Sequence, residues 1–273
     1  MDKIYAYTAS TNLSSIPEKV LGRDVQAINA SDPKDMRTGI LLRAMNMALY
    51  GDYMGMPGWV FVDCCLFPSA FVMIRDLGGN IPAEIKNALN TRLDYMRKEN
   101  TISGVEDNFE HIQDDELIPT ASYLAIPSAS NQIVGFSFTS MVKGNGKKIK
   151  AYAYSFYRQM LGCHAQIGIA QYFDKSVATH TKFGDLKIIN ALEAHHSIPL
   201  KTFSYTCQLP SDLELQEIID KDVDRDFSNC IEVRRDDLDE IISEIQLAKE
   251  DYFIVGQDNK KQIMYLRSEK KTF

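Results

Sequence analysis

Apolar residues recur along the chain at helical spacing in two segments. In the first, Ser31-Asp32-Pro33 has the form of a helix cap with proline in the first turn, and a stripe of apolar residues follows at Ile40, Ala44, Met47 and Ala48. The second, residues 81–98, carries Ile85, Leu89, Leu93 and Met96 on one side. Each pattern predicts an amphipathic helix, and residues 16–29 (IPEKVLGRDVQAIN) predict a shorter helix before them.

Other segments are rich in β-branched and aromatic residues, which predicts strands. The run GWVFVDCCLFPSAFVMIRDL, residues 58–77, divides at Pro68-Ser69 into two buried strands. Further strands are predicted over 118–128, 131–142, 165–172 and 200–209, and a short helix over 174–183 ends at Gly184. Helices and strands alternate, which is typical of an α/β protein.

Residues 147–161 fit two structures. Ile149, Ala153, Phe156 and Met160 form a helical stripe. The segment also alternates as in a strand, with Asn145-Gly146 as a hairpin turn. The two faces of that strand would be Ile149, Ala151 and Ala153 on one side and Lys150, Tyr152 and Tyr154 on the other. Alanine is a poor strand former and would occupy one whole strand face, which favours the helix.

The C-terminal region has its own boundary signals. Ser211 and Glu214 have capping-box spacing, a charged helix is predicted over 235–249, and residues 252–266 predict a hairpin. We expect a main domain over 1–210, with an insertion at about 78–117, and an acidic subdomain over 211–273 that is a candidate oligomer contact.

Charge supports this division. The formal net charge is −7, and residues 211–273 account for all of it with 17 acidic and 10 basic side chains. Residues 141–201 carry nine basic and three acidic side chains. An acidic protein is not expected to coat nucleic acid, because that affinity comes from neutralising phosphates. A phosphate site in the basic segment remains compatible with the composition.

The cellular setting is inferred from cysteines and hydropathy. The five cysteines form an odd set without a CxxC pair, which is typical of reduced thiols. No apolar run is long enough to cross a membrane, and the N-terminal residues lack the apolar core of a secretory signal. We therefore expect a cytoplasmic protein.

The candidate ligand site is the segment MVKGNGKK, residues 141–148. Its glycines allow backbone N–H groups to approach a ligand, and a helix beginning there would add its positive end. The segment matches neither the P-loop nor the dinucleotide fingerprint. It is either a phosphate or pyrophosphate site or a hairpin turn with solvated lysines.

This region resembles the GNAT superfamily of acyl-CoA-dependent N-acyltransferases. In that family a strand ends in (Q/R)xxGx(G/A), whose amides hold the CoA pyrophosphate; here Gly144 and Gly146 match, and Met141 replaces the Gln or Arg. The family's later motif, NxxAxxxYxKxG, ends here at Gly184, which places Lys182 on its Lys and His180 on its Tyr. The resemblance covers roughly residues 120–205.

The resemblance implies a fold, a reaction and a set of site residues. The fold would be a GNAT-like central mixed sheet flanked by helices, and the reaction would transfer an acyl group from acyl-CoA to a small-molecule or lysine-type amine. Pyrophosphate would be held by Val142, Lys143, Gly144, Asn145, Gly146 and Lys147. His180 would protonate the departing thiolate, since imidazole titrates near neutral pH. No metal, nucleic acid or membrane partner is expected.

A general base is needed to deprotonate the attacking ammonium. Asp63 is the candidate, because a carboxylate within an apolar strand calls for a function or a partner. A structural salt bridge to Arg75 is the alternative explanation. Cys64 and Cys65 are neighbours in the same run and are expected to be packing residues.

Two other classes of function remain open from the sequence. The protein could be a non-catalytic binding module whose 141–148 segment holds an anion. It could also be an assembly protein that docks a partner through the acidic region. The acidic residues at 106–116 could attract a cationic acceptor, although such runs are usually solvated loops.

Overall fold

A computed structural model describes residues 3–54, 60–61, 70–75, 81–101, 103–128, 131–172, 174–195, 199–221, 223–234, 237 and 250–270. The chain divides into two compact units. The first is Met1–Pro127 with Phe136–Gly162, and the second is Ser128–Gly135 with Cys163–Phe273. The predicted boundary near Pro210 stays a prediction.

The first unit is built on a mixed sheet. Its strands are β1 (Lys3–Thr8), β2 (Lys19–Val20), β3 (Arg23–Asn29), β4 (Ala70–Arg75), β5 (Pro119–Ser128) and the C-terminal half of β6 (Gln132–Ser140). Strand β1 is parallel to β3 and antiparallel to β4, and β4 is antiparallel to β5. Strand β1 is buried from Ile4 to Thr8 and β5 from Pro119 to Ala125, so both strands are enclosed over most of their length.

The helices of known extent in the described part of this unit are α1 (Met36–Met54), α2 (Ala83–Glu99) and α3 (Asn145–Leu161). Before α1, Asp32 accepts a hydrogen bond from the Lys34 amide and starts a short 3-10 turn with proline in it. The predicted stripe of α2 is buried, and α2 packs against α1. Leu41, Leu89 and Leu93 are completely inaccessible to solvent and belong to the same apolar core.

The predicted helix over 16–29 is wrong. This segment forms β2 and β3, which are joined at Leu21 and Gly22, both with positive φ. Ile4 and Val25 are partners in the parallel β1–β3 pair, so pairing with β1 decides the structure of a segment whose own pattern is weak.

The second unit contains a second mixed sheet region. The N-terminal half of β6 pairs in parallel with β7 (Ala165–Gln171), which is antiparallel to β9 (Pro199–Gln208). Strand β8 (Leu186–His195) pairs with β9 and with β11 (Glu250–Asp258), and β12 (Ile263–Lys270) lies between β11 and β10 (Ile231–Arg234). The predicted C-terminal hairpin is β11–β12 and is confirmed.

The described residues of the second unit include two α-helices. Helix α4 (Lys175–His180) begins at Asp174, whose carboxylate accepts from the Ser176 amide, and continues as a 3-10 turn to Gly184. Helix α5 (Asp212–Asp220) has the predicted capping box between Ser211 and Glu214, with both hydrogen bonds present. The predicted α/β fold with a mixed sheet and flanking helices is confirmed.

The remaining predictions have mixed outcomes. Residues 147–161 are helical, within α3, so the hairpin alternative is wrong. Of the two strands predicted over residues 58–77, the second forms β4. In the first, the described residues Val60 and Phe61 are helical rather than extended. The strand β8 was not predicted. The charged helix at 235–249 lies outside the described residues.

Candidate functional site

The glycine segment forms the turn between β6 and α3 in the first unit. Strand β6 ends at Ser140, Gly144 adopts the left-handed conformation with φ of 87°, and α3 begins at Asn145. The Asn145 amide donates to the Val142 carbonyl at 3.1 Å, which closes the turn. A residue with a Cβ at Gly144 would be strained, so this glycine is explained by the turn itself.

The turn is anchored to β5. The Met141 amide donates to the Thr120 carbonyl at 2.9 Å, and the Asn145 side-chain amide donates to Thr120 Oγ1 at 3.3 Å. Asn145 is buried, whereas Lys143 and Gly144 are exposed. A buried asparagine that bonds the preceding strand fixes where the first turn of α3 begins.

The first turn of α3 is suited to an anion. It contains no acidic residue, and Gly144 at the cap provides no side-chain hydrogen bond. Within the described chain, the N–H groups of Gly144 and Gly146 have no hydrogen-bond partner, and Lys147 and Lys148 follow them as half-buried side chains. Backbone N–H groups at a helix N-terminus together with basic side chains can hold phosphate oxygens.

Helix α3 is held rigidly on β5. The Tyr157 hydroxyl donates to the Ala125 carbonyl and accepts from the Ala125 amide, both at 3.2 Å. Tyr123 contacts the rings of Tyr154 and Tyr157 edge-on. Lys150 is fully buried, with its ammonium 5.2 Å from the centre of the Tyr154 ring. The turn therefore leads directly into a tightly packed helix.

His180 lies in the second unit, at the C-terminal end of α4. It is buried, and its ring centre is 5.7 Å from that of Tyr205 in β9. The Tyr205 hydroxyl accepts a long hydrogen bond, 3.4 Å, from the side-chain amide of Gln166. His180 thus belongs to a small polar and aromatic group with Tyr205 and Gln166.

The hydroxyl pKa is strongly raised for Tyr205 of this group and for Tyr172, which belongs to the same apolar core. Burial raises the pKa of Tyr172 to about 12. Burial also raises the pKa of Tyr205 well above its ordinary value, and the nearby Cys207 adds to the effect. Both hydroxyls therefore stay protonated at neutral pH and can act only as neutral donors or acceptors.

The predicted site residues fall into three groups. Val142, Lys143, Gly144, Asn145, Gly146 and Lys147 come together in the turn before α3. His180 belongs to the other unit. Asp63, Cys64 and Cys65 lie outside the described residues, so the base assignment stays a prediction. In the described part of the chain, no group of three or more His, Cys, Asp or Glu side chains could hold a metal ion.

The acidic segment 106–116 is largely occupied by internal contacts. Glu116 accepts from Arg37 Nε at 2.5 Å and Nη2 at 3.1 Å, and Asp114 pairs with Lys86 at 2.7 Å. Glu106 accepts from the Gly104 amide. These carboxylates already have partners, which weakens the hypothesis that they recruit a cationic acceptor.

Thr120, Gln166 and Tyr205 were missed by the sequence analysis. Thr120 supports the turn, Tyr205 contacts His180, and Gln166 donates to the Tyr205 hydroxyl. Each is separated from its partner by 25 or more positions, so only strand register brings them together. A polar residue in an otherwise apolar strand was the one available signal.

Comparisons with known proteins were made for the chain. Neither a protein-family model nor a curated protein sequence matches it. Among solved structures, the ribosomal-protein-S18-alanine N-acetyltransferase of Escherichia coli is similar, with 7% identity and a TM-score of 0.40 over 66% of this chain and 91% of that chain. A Salmonella typhimurium protein assigned as an acetyltransferase and solved with acetyl-CoA is also similar. It has 10% identity and a TM-score of 0.40 over 66% of this chain and 92% of that chain.

A GNAT-family structure from Desulfovibrio desulfuricans has 9% identity and a TM-score of 0.38 over 65% of this chain and 94% of that chain. At these values, neither activity nor substrate follows from the matches. The order β6, glycine turn, α3, β7, α4 and β9 is the order of elements that the sequence predicted, and β8 is an additional strand between α4 and β9. In the described part of the chain, no helix is long and apolar enough to span a membrane.

Proposed function

We propose that the protein transfers an acyl group from acyl-CoA to an amine. The observation that carries this proposal is the turn before α3, where unpaired N–H groups, two lysines and the helix N-terminus coincide with the glycine spacing of a pyrophosphate site. The absence of any acid in the first turn supports an anion there, because a carboxylate would occupy the same position.

The residues in this turn fit a pyrophosphate. Gly144 and Gly146 would offer backbone N–H groups, and Lys147 would add charge. A Cβ on Gly146 would lie 3.0 Å from Cζ of Phe138, so the position has little room for a side chain. The packed contact between α3 and β5 would hold these donors in place before ligand arrives, which reduces the entropic cost of binding.

In the proposed reaction, the amine nitrogen attacks the thioester carbonyl and the C–S bond breaks. The departing thiolate takes a proton, for which His180 is the candidate donor, and the amine loses a proton to a base, for which Asp63 is the candidate. The buried position of His180 supports a role in a water-poor site, where a donated proton is not lost to solvent.

The test is turnover of acetyl-CoA with a panel of primary amines, including a polyamine, an aminoglycoside and a lysine-containing peptide. Products are followed by mass spectrometry, which avoids interference from the protein's own thiols. Amine-dependent acetylated product supports the proposal. Binding of CoA with no product from any amine would instead indicate the non-catalytic anion-binding class.

A further inference from the structure

A cleft of about 730 Å³ lies within the second unit, whereas the glycine turn belongs to the first. Its walls come from the 3-10 turn after α4, the residues that follow β9, helix α5 and the segment after it, and Phe253 of β11. This volume is in the range of small-molecule sites. Nothing in the proposed acyl transfer uses this cleft.

One wall of the cleft is a fixed basic group. Arg225 Nη1 donates to the Asp185 carboxylate and, at 3.2 Å, to the Val255 carbonyl. The same carboxylate accepts from Arg267 at 2.8 Å, so two guanidinium groups share it. Because Arg225 is tied to two different elements, its guanidinium is placed before any ligand binds.

Arg225 also has an unused donor. Within the described chain, its Nε–H is buried and has no hydrogen-bond partner. Arg267 Nε is in the same condition, but Arg225 is the one that lines the cleft. A buried donor left unsatisfied costs free energy, and an acceptor oxygen on a ligand would remove that cost.

The rest of the wall is mostly apolar. Phe183, Leu209, Ile218, Val223 and Phe253 line the cleft. The Phe253 ring is backed by the Arg267 guanidinium, 5.4 Å from the ring centre, which holds the ring in place. Val223 is exposed although it is apolar, so a ligand body that covers it would gain buried apolar area.

The acidic groups of the lining are not equivalent. Asp185 is shared by the two arginines, and Glu214 accepts from the Ser211 amide and hydroxyl in the capping box of α5. Glu217 is exposed, and within the described chain its side chain has no hydrogen bond or ion pair. Two of the three carboxylates are therefore engaged in holding the wall, and Glu217 is left as the one that would repel a bound anion.

We propose that this cleft binds a small organic acid, with its apolar body against Ile218, Val223 and Phe253 and its carboxylate accepting from Arg225. The site is a second ligand site and does not depend on acyl transfer. The acid would bind more tightly than a neutral analogue because Arg225 donates a charge-assisted hydrogen bond to a carboxylate. It would bind more tightly than an amine because the positive charge of Arg225 repels an ammonium group.

The test uses the full chain labelled at isoleucine methyl groups and observed by NMR. Phenylacetate, indole-3-acetate and octanoate are the probes, with phenylacetamide and phenethylamine as the neutral and cationic controls. At least one acid should shift the Ile218 methyl signal saturably, while the signal of Ile169, which is 66% exposed on β7, stays unchanged. The amide and amine should bind at least about tenfold more weakly.

Matched variants locate the binding. Val223→Trp fills the cleft and should weaken the acid at least about tenfold, whereas Leu213→Trp, on an exposed α5 residue outside the lining, should leave it unchanged. Glu217→Gln should strengthen binding roughly twofold, because it removes a repulsive charge. The proposal is overturned if no acid gives a saturable shift, if the amide binds as tightly as the acid, or if Val223→Trp binds normally.

Discussion

The ring of Tyr205 lies directly over Gly168 of the neighbouring strand β7. A Cβ added to Gly168 would lie 2.4 Å from Tyr205 Cζ and 2.5 Å from its hydroxyl oxygen. The two residues are partners in the antiparallel β7–β9 pair, so the contact follows from strand register. Gly168 therefore provides the space for the tyrosine that contacts His180.

Gly168→Ala should destabilise the protein by about 1–3 kcal/mol, because the buried Tyr205 ring has to move to admit a methyl group. Urea unfolding measures this free energy. The control is the same change in a Tyr205→Leu background, where the added methyl should cost clearly less. An equal cost in both backgrounds would show that the ring contact is not the cause.

Tyr172 should make stability fall at alkaline pH. Its pKa is about 12 in the folded protein, whereas an unfolded tyrosine titrates near about 10. Between these values the folded state binds more protons than the unfolded state, so the free energy of unfolding decreases as pH rises through this window. The loss due to Tyr172 should reach about 2–3 kcal/mol at its upper end.

Tyr172→Phe should remove that part of the alkaline loss. At neutral pH it should cost little or add stability, since the buried Tyr172 hydroxyl has no hydrogen-bond partner in the described chain. Urea unfolding below and above about pH 10 gives the comparison, and Tyr95→Phe, at an exposed position, is the control. A variant whose pH profile runs parallel to that of the parent protein would contradict this account of Tyr172.

Arg37 and Glu116 should contribute far more to stability than the exposed pair Lys19–Asp24. Arg37 binds Glu116 through two nitrogens and also donates to the Asn108 carbonyl, and both partners are only 17% exposed. Arg37→Met should cost about 3 kcal/mol because it removes the charged partner of the half-buried Glu116 carboxylate and a donor to the Asn108 carbonyl. The Gln113 amide would remain as a donor to that carboxylate. Lys19→Met should change the free energy of unfolding by less than about 0.5 kcal/mol. If urea unfolding gave similar losses of unfolding free energy for the two variants, the predicted difference between the two ion pairs would be refuted.

His180→Gln should reduce turnover by about 10²–10⁴-fold if the side chain protonates the leaving thiolate. The dissociation constant for CoA should change little, because the proposed pyrophosphate contacts belong to the turn before α3. Single-turnover kinetics separate the two effects. A variant with unchanged turnover would remove His180 from the mechanism and leave the ring contact with Tyr205 as its role.

The segments that the sequence identified correctly are those whose local signals agree with one another. Helix α2 has a clean apolar stripe, and α5 has a complete capping box. For α3, the alanines favoured the helix that the structure contains, although the alternation was also compatible with a strand. In these segments the local sequence pattern was sufficient to predict the secondary structure.

The segments that were missed depend on distant partners. Strand β3 is mostly exposed and pairs with β1, and β8 has a register shift between Ile188 and Asn190 that breaks its alternation. The contact of His180 with Tyr205 likewise depends on strands far apart in the sequence. The glycine turn was predictable because its residues are consecutive in the chain.

The central claim, that the turn before α3 holds the pyrophosphate of CoA, is tested most directly by calorimetric titration with CoA and acetyl-CoA. The parent protein should bind both, and binding at about 10 μM should add about 2.7 kcal/mol of stability at about 1 mM ligand. Gly146→Glu should abolish binding, while Gly146→Ala, which carries the same Cβ near Phe138 without the charge, should retain most of it. No heat of binding for the folded parent protein, or undiminished binding by Gly146→Glu, would contradict the account.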